Sequence, residues 1–367
     1  MLSSKAKRRG KGWLGMLNYV IDWVTFPLKR LFGLNAKSRL IISPYRGFGT
    51  AQHAVLSGRI LKDKFIHSNQ TDSTYRNLIN NVRRFRSDEI PGAEIIIKIG
   101  ETEFKKTTDP EGYFKLEATL PLKPFSSDNT WIPYQVNLLK TPWQDVDLKA
   151  SGEILIPGQV DFGIISDIDD TILHTGVTSF LKWQAIYRTL LQNAASRRAI
   201  KTGSAFYRAL EAGNRNPKAK RPFFYVSNGP WNLYDLLVEF LTVNGFPKGP
   251  ILLRDFGIPY EEQSPDYRGH KYAQIARILQ TYPNLPFLLV GDSGEKDLDI
   301  YLSIAENFPS RVPAIYIRDV ANKKRAARIN QIIEMSPADP EILFVKNFAD
   351  AAAHAIIRGW INDDFKM

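Results

Sequence analysis

Residues 161–176 read DFGIISDIDDTILHTG, which places four carboxylates inside ten residues. Three of them, Asp167, Asp169 and Asp170, fall within four positions directly after the apolar run FGII. Like charges that close repel, so the chain needs a reason to keep them together. A short apolar run reads as a buried strand, and the carboxylates then emerge at its carboxyl end.

The pattern around this stretch alternates. From about residue 158 the apolar strands FGIIS, FFYVS, FLLVGD, AIYIRD and EILFV are separated by helical segments such as LYDLLVEFLTVNG and HKYAQIARILQTYP. Alternating strands and helices predict an α/β domain with a parallel sheet. Ligands of such sheets bind at the carboxyl ends of the strands. The strand FFYV ends in Ser227, a later helix opens with His270 and Lys271, and FLLV runs into GDSGEKD with Asp292 and Asp297. Four separate elements therefore bring polar groups to one predicted rim.

The residue types on that rim fit one chemistry. Several carboxylates suit a hard cation with oxygen ligands, Mg²⁺ being the usual one. Such an ion neutralises the carboxylate cluster. A lysine and a serine hydroxyl suit phosphoryl oxygens, and a carboxylate can act as a nucleophile that forms an aspartyl-phosphate. Taken singly, each group has a plainer role. Asp167 and Asp169 can bind a structural ion, Ser227 can be a loop residue, Lys271 can be a solvated helix lysine, and Asp297 can cap the helix LDIYLSIAENF. His174 and His270 lie near the rim, where hydrogen bonding is the simpler role.

The motifs DIDDT, VSNGPW, HK and GDSGEKD resemble the four motifs of the haloacid dehalogenase superfamily of phosphotransferases. More narrowly, SDIDDTI, YVSNGPWNLYD, HKYAQI, LLVGDSGEKDLDIY and FPSRVPAIYIRDV resemble the catalytic domain of the actin-patch phosphatidate phosphatase family, over about residues 160–350. The resemblance implies a haloacid-dehalogenase-like Rossmannoid sheet with a small helical cap. It implies that Thr171 fixes the frame of the Asp-x-Asp-x-Thr motif, with Asp167 as nucleophile and Asp169 as general acid and then base. Asp170 becomes a spacer. Ser227 and Lys271 would hold the phosphoryl group. Mg²⁺ would rest on the Asp167 carboxylate, the Asp169 carbonyl and Asp292, with Asp297 in support. The implied substrate is phosphatidate, cleaved to diacylglycerol.

Between Thr171 and Ser227, FLKWQAIYRTLLQNAASRRAIKTGSAFYRALEAG reads as helical and is followed by the basic NRNPKAKRP. This segment is the expected cap. Its Arg197, Arg198, Lys201 and Lys220 either meet anionic headgroups or form a solvated face.

The rest of the 367-residue chain divides in two. Residues 48–157 are β-rich. AEIIIKIGETEFKKT gives two strands about a Gly-Glu turn, TTDPEGYFKLEATL a tight turn and a strand, and WIPYQVNLL and DVDLKASGEILIPG two more. Short strands joined by turns predict a small sandwich with a scaffolding or positioning role. Residues 1–47 form a basic arm. Ten basic residues stand against the single acid Asp22 in positions 1–46, which accounts for nine of the chain's eleven net positive charges.

In the arm, Trp13, Leu17, Val20, Ile21, Val24 and Leu28 share one helical face. Asp22 and Pro27 interrupt the run of about 20 apolar residues that a spanning helix needs. The predicted arm lies in the membrane interface on anionic lipid, the alternatives being a helix packed on its own protein and a spanning one. No nucleic-acid module follows the basic cluster, so nucleic acid is not an expected partner, and no protein partner is legible. The chain has no cysteine, which excludes disulfides, thiolate catalysis and cysteine-held zinc.

The expectation is a cytoplasmic, peripherally membrane-associated, Mg²⁺-dependent phosphatase of a phosphatidate-like substrate. The alternatives are a phosphatase of a soluble phosphoester and a non-catalytic membrane scaffold.

Overall fold

The computed structural model describes residues 39–62, 89–120, 130–168, 194–213, 220–254, 269–293, 297–319, 323–335 and 339–365. Within them are two sheets. The first comprises β1 (Leu40–Pro44), β2 (Gly47–Gly49), β3 (His53–Lys62), β4 (Glu94–Ile99), β5 (Thr102–Thr107), β6 (Tyr113–Thr119), β7 (Thr130–Lys140) and β8 (Asp145–Ile156). Its strand order is β1-β3-β2-β8-β7-β4-β5, with β6 on the free side of β3. The hairpin turn falls at Gly100 and Glu101, and the Asp109–Gly112 turn leads into β6, as the turn residues predict.

This hydrogen-bonded path folds on itself. Ile42, Leu56, Ile60, Phe114 and Leu116 from one half share a core with Ile95, Ile97, Val136, Leu138 and Ile154 from the other. The first strand begins at Leu40, inside the stretch that the sequence assigns to the basic arm. Residues 1–38, with the amphipathic segment, lie outside the described residues. Among the described residues no helix is long and apolar enough to cross a membrane.

The second sheet is wholly parallel: β9 (Gly163–Asp167), β10 (Phe223–Pro230), β11 (Ile251–Arg254), β12 (Phe287–Asp292), β13 (Ala314–Arg318) and β14 (Glu341–Val345) in the order β11-β10-β9-β12-β13-β14. Numbered within the sheet this is 3-2-1-4-5-6, the doubly wound Rossmann order. The strands are apolar on both faces because helices cover both. Ile164, Phe223, Tyr225, Leu288, Val290 and Tyr316 point to one side, and Ile165, Phe224, Val226, Phe287, Leu289 and Ile315 to the other.

The first side is covered by α1 (Ala194–Ala212), α2 (Tyr234–Val243) and α6 (Phe348–Ile357). The second is covered by α3 (Gly269–Thr281), α4 (Asp297–Asn307) and α5 (Lys323–Met335). α1 falls in the segment expected to form the cap, yet it is a layer of this core. Ile200, Phe206, Tyr207 and Leu210 recur at helical spacing and are buried against the sheet. The part of that helical stretch before α1, residues 180–193, lies outside the described residues.

The two sheets share packing. Phe48 of β2 meets Phe224 edge-on at 5.6 Å, and Phe48, Val55 and Leu155 join the core beneath α3 and α4. Lys248 pairs with Glu153 at 2.5 Å and lies over the Trp131 ring.

Candidate functional site

The sheet reverses direction of winding between β9 and β12, and the polar rim converges there. Asp167 is the last residue of β9, Asp292 the last of β12, and Asp297 the first of α4. Each offers a carboxylate oxygen within 4.8 Å of the others, and all three are fully buried. Lys271, in the first turn of α3 and 1% exposed, donates from Nζ to Asp167 Oδ1 at 2.8 Å and to Asp297 Oδ1 at 2.5 Å. The Asp292 amide donates to Asp297 Oδ2 at 3.3 Å.

Lys271 thus bridges two of three buried carboxylates, and carboxylates this close and this deeply buried call for compensating positive charge. Burial pushes the Asp297 carboxyl well above the usual carboxylate range. Asp167 and Asp292 push it further, while Lys271 opposes them. The Gly-Asp pair in this motif has a steric reason. A Cβ at Gly291 would lie 2.5 Å from Asp297 Oδ2 and 2.8 Å from Tyr301 Cε2. Only glycine lets the strand pass this close to the first turn of α4. Tyr301 closes the turn from below by donating to the Val290 carbonyl at 3.0 Å.

Ser227 is buried in β10, the neighbour of β9, in register just beyond the Val226–Asp167 pair. The chain turns back over it: the Gly229 amide donates to Ser227 Oγ at 2.9 Å, and a short 3-10 turn, Trp231–Leu233, follows. His270 is buried beside Lys271 at the start of α3. The structure thus brings Asp167, Lys271, Asp292 and Asp297 into one cluster and puts Ser227 on the adjacent strand. Asp169, Asp170, Thr171 and His174 lie outside the described residues, as does the greater part of the GDSGEKD loop between Ser293 and Asp297.

Three residues of this region carried no weight in the sequence reading. Ser166 Oγ donates to the Asp167 carbonyl at 2.7 Å and shares a 2.8 Å hydrogen bond with Tyr207 of α1, tying the end of β9 to its covering helix. Burial pushes the Tyr207 hydroxyl up, and the charge of Asp167 adds to this. Arg318, buried at the end of β13, stands in register with Asp292. Its signal was present, since AIYIRD also ends an apolar strand in charged residues, but it carries the opposite sign from the carboxylates.

Residues 162–319 match the family model described as phosphatidate phosphatase APP1, catalytic domain, which is the family that the motifs resemble. The chain is 31% identical over 259 residues to phosphatidate phosphatase APP1 of Saccharomyces cerevisiae, covering 67% of this chain and 41% of that protein. It is 28% identical over 255 residues to an uncharacterised protein of Schizosaccharomyces pombe, covering 67% of this chain and 39% of that one. The chain therefore spans about two fifths of the length of the curated relatives it matches. Among solved structures, a carbohydrate acetylesterase from Xanthomonas citri aligns over 74% of this chain and 66% of its own. Its identity is 12% and its TM-score 0.26, too low to bear on fold or function.

Proposed function

We propose that the protein is a phosphatase of the haloacid-dehalogenase type that hydrolyses a phosphomonoester, with phosphatidate as substrate and diacylglycerol as product. The observation that carries this reading is the buried cluster of Asp167, Asp292 and Asp297 around Lys271, at the switch point of a parallel sheet. The matching family model and the curated yeast relative, both named as a phosphatidate phosphatase, support the same class of reaction and the same substrate.

The donor set fits Mg²⁺. All three acidic side chains offer oxygen, they lie within a single ion's reach of one another, and their charge exceeds that of Lys271. The Asp167 and Asp292 carboxylates and the Asp169 carbonyl would hold the ion, with Asp297 in support. Bound there, it would neutralise charge on the phosphoryl oxygens.

The protein groups then divide the work. An Asp167 oxygen bonds to phosphorus as the ester P–O bond breaks. Asp169, protonated, gives its proton to the departing alkoxide. Lys271 and Ser227 hold the phosphoryl oxygens. Asp169 next takes a proton from water, the water oxygen bonds to phosphorus, and the bond to Asp167 breaks to release phosphate. The role of Asp169 rests on the motif resemblance.

A lipid substrate has to be met at a surface. The basic, aromatic N-terminal arm supplies the reason to place the protein peripherally on an anionic membrane, facing the cytoplasm. The β-rich region is then an accessory domain beside the phosphatase domain.

The test is hydrolysis of a chromogenic aryl phosphate with Mg²⁺ and with chelator, for wild type and Asp167→Asn. Release that requires both the metal and Asp167, with an acid-stable phosphoenzyme after rapid quenching, supports the reading. Equal release by Asp167→Asn rejects it.

A further inference from the structure

We propose that the β-rich domain is a working part of the active site, with Arg59 as a positioning residue for the loop that carries Ser227. This rests on the phosphoryl-binding role of Ser227 given above. Arg59 stands on β3, yet it is 6% exposed and reaches across to the parallel-sheet domain. Its Nη1 donates to Asn232 Oδ1 at 2.5 Å. The rest of the guanidinium is fixed inside the β-rich domain. Nε donates to the Glu111 carbonyl at 2.9 Å, Nη2 pairs with Glu89 at 2.9 Å, and Cζ lies 4.4 Å from the Tyr113 ring centre. A guanidinium held on these sides presents its Nη1 in one direction, which a lysine cannot reproduce.

Two neighbours grip the same loop. The Tyr45 ring stacks on Trp231 at 4.5 Å with 6° between planes, and it leans on Tyr234 at 4.3 Å. Tyr45 is itself anchored, because Tyr134 donates to its carbonyl at 2.6 Å. The Arg46 amide donates to the Tyr234 hydroxyl at 2.7 Å. Trp231, Asn232 and Tyr234 are thus held between them by Tyr45, Arg46 and Arg59 of the β-rich domain. On its inner side the loop is wound tightly onto Ser227. The Gly229 amide bonds to Ser227 Oγ, and a Cβ at Gly229 would stand 3.0 Å from that oxygen. Displacement at Asn232 has few residues in which to dissipate before it reaches the hydroxyl. A buried, many-partnered arginine at this position is a costly way to join two domains and an efficient way to set one loop.

The test compares Arg59→Ala, Asn232→Ala, their double variant and the conservative Asn232→Asp with Lys248→Ala. The last breaks the Glu153 pair across the same domain boundary without touching the loop. Thermal melts first establish that each variant is folded. Where Arg59→Ala is not, the Asn232 pair carries the test alone.

In Mg²⁺-dependent aryl phosphate hydrolysis, Arg59→Ala and Asn232→Ala are each expected to lower kcat about tenfold, the scale of one lost charged hydrogen bond. The double variant is expected to be no worse than Arg59→Ala, Asn232→Asp to recover most of the rate, and Lys248→Ala to match wild type. A wild-type kcat in Asn232→Ala, or an equal loss in Lys248→Ala, overturns the proposal.

If wild type releases no phosphate from any ester, the functional reading fails and the positioning is read from amide hydrogen exchange instead. Faster exchange at residues 227–233 in Asn232→Ala but not in Lys248→Ala supports it. Unchanged exchange in both overturns it.

Discussion

Replacing Lys271 by methionine keeps the length of the side chain and removes its charge. In wild type, Nζ lies 2.8 Å from one buried carboxylate and 2.5 Å from another, with Asp292 close by. Without it, three carboxylates face one another out of water. Removing one partner of a buried ion pair costs about 3–5 kcal/mol because the other charge is left uncompensated. At about 2–4 °C per kcal/mol for a domain of this size, Tm falls by about 6–20 °C.

The loss has two signatures beyond its size. A ligand that binds only the folded state stabilises it by mass action. The rise in Tm on adding Mg²⁺ is therefore larger in Lys271→Met than in wild type, since the ion then neutralises a more negative site. The pH dependence follows from Asp297, whose folded pKa is raised by burial and by its carboxylate neighbours. Between the ordinary carboxylate range and that raised value the folded state binds more protons than the unfolded. Stability in this window therefore falls as pH rises through the folded pKa and recovers as pH falls. Losing Lys271 raises that pKa further, so the defect of Lys271→Met shrinks in acid and is greatest at neutral and alkaline pH. Scanning calorimetry across pH, in chelator and in Mg²⁺, measures both effects. A variant that melts with wild type in chelator, or whose defect grows in acid, would refute the reasoning.

Asp167→Asn is expected to keep the wild-type far-ultraviolet circular dichroism while abolishing phosphate release, because the amide is isosteric but cannot attack phosphorus. Gly291→Ala is expected to cost about 1–3 kcal/mol of stability by overpacking against Asp297 and Tyr301, and to lose activity with it, as calorimetry and hydrolysis assays on one preparation would reveal. Asp161 binds the Arg221 guanidinium through both oxygens at 2.7 Å. Burial raises its carboxyl, but the hydrogen bonds and charge of Arg221 prevail and hold it below the usual range. Stability from this pair is present above the unfolded carboxylate pKa and is lost as pH falls through the lowered value. Asp161→Asn is accordingly expected to cost about 1 kcal/mol at pH 7, the Asp161 carboxylate being partly open to solvent although Arg221 is buried, and to converge on wild type in strong acid in urea titrations at several pH values.

The sequence was most legible where a local rule decides. Apolar runs ending in polar residues placed β9, β10, β12 and β13, and so the ends from which Asp167 and Asp292 project; β10 runs on past its apolar residues to Pro230, with Ser227 just beyond its last pair with β9. Turn residues placed the β4–β5 hairpin and the start of β6. The partners of those groups were not legible, because they are set by chain reversal. Lys271 lies 104 residues from Asp167 and 26 from Asp297, and nothing in HKYAQI says that its amine bridges the two. Arg59 and Asn232 are 173 residues apart. A basic amphipathic helix in an insertion reads the same whether its apolar face meets a sheet or a lid, so the sequence of α1 does not separate core from cap. The contacts of Phe206 and Tyr207 with Phe348 decide the matter for the described half of that segment.

The measurement closest to the central claim is phosphate release from phosphatidate in mixed micelles, with Mg²⁺ and with chelator, for wild type and Asp169→Asn. The account predicts release by wild type in Mg²⁺ alone, and its loss in the variant. Undiminished release in chelator or in Asp169→Asn would contradict the mechanism. Release from small phosphoesters but not from phosphatidate would leave the mechanism and remove the lipid.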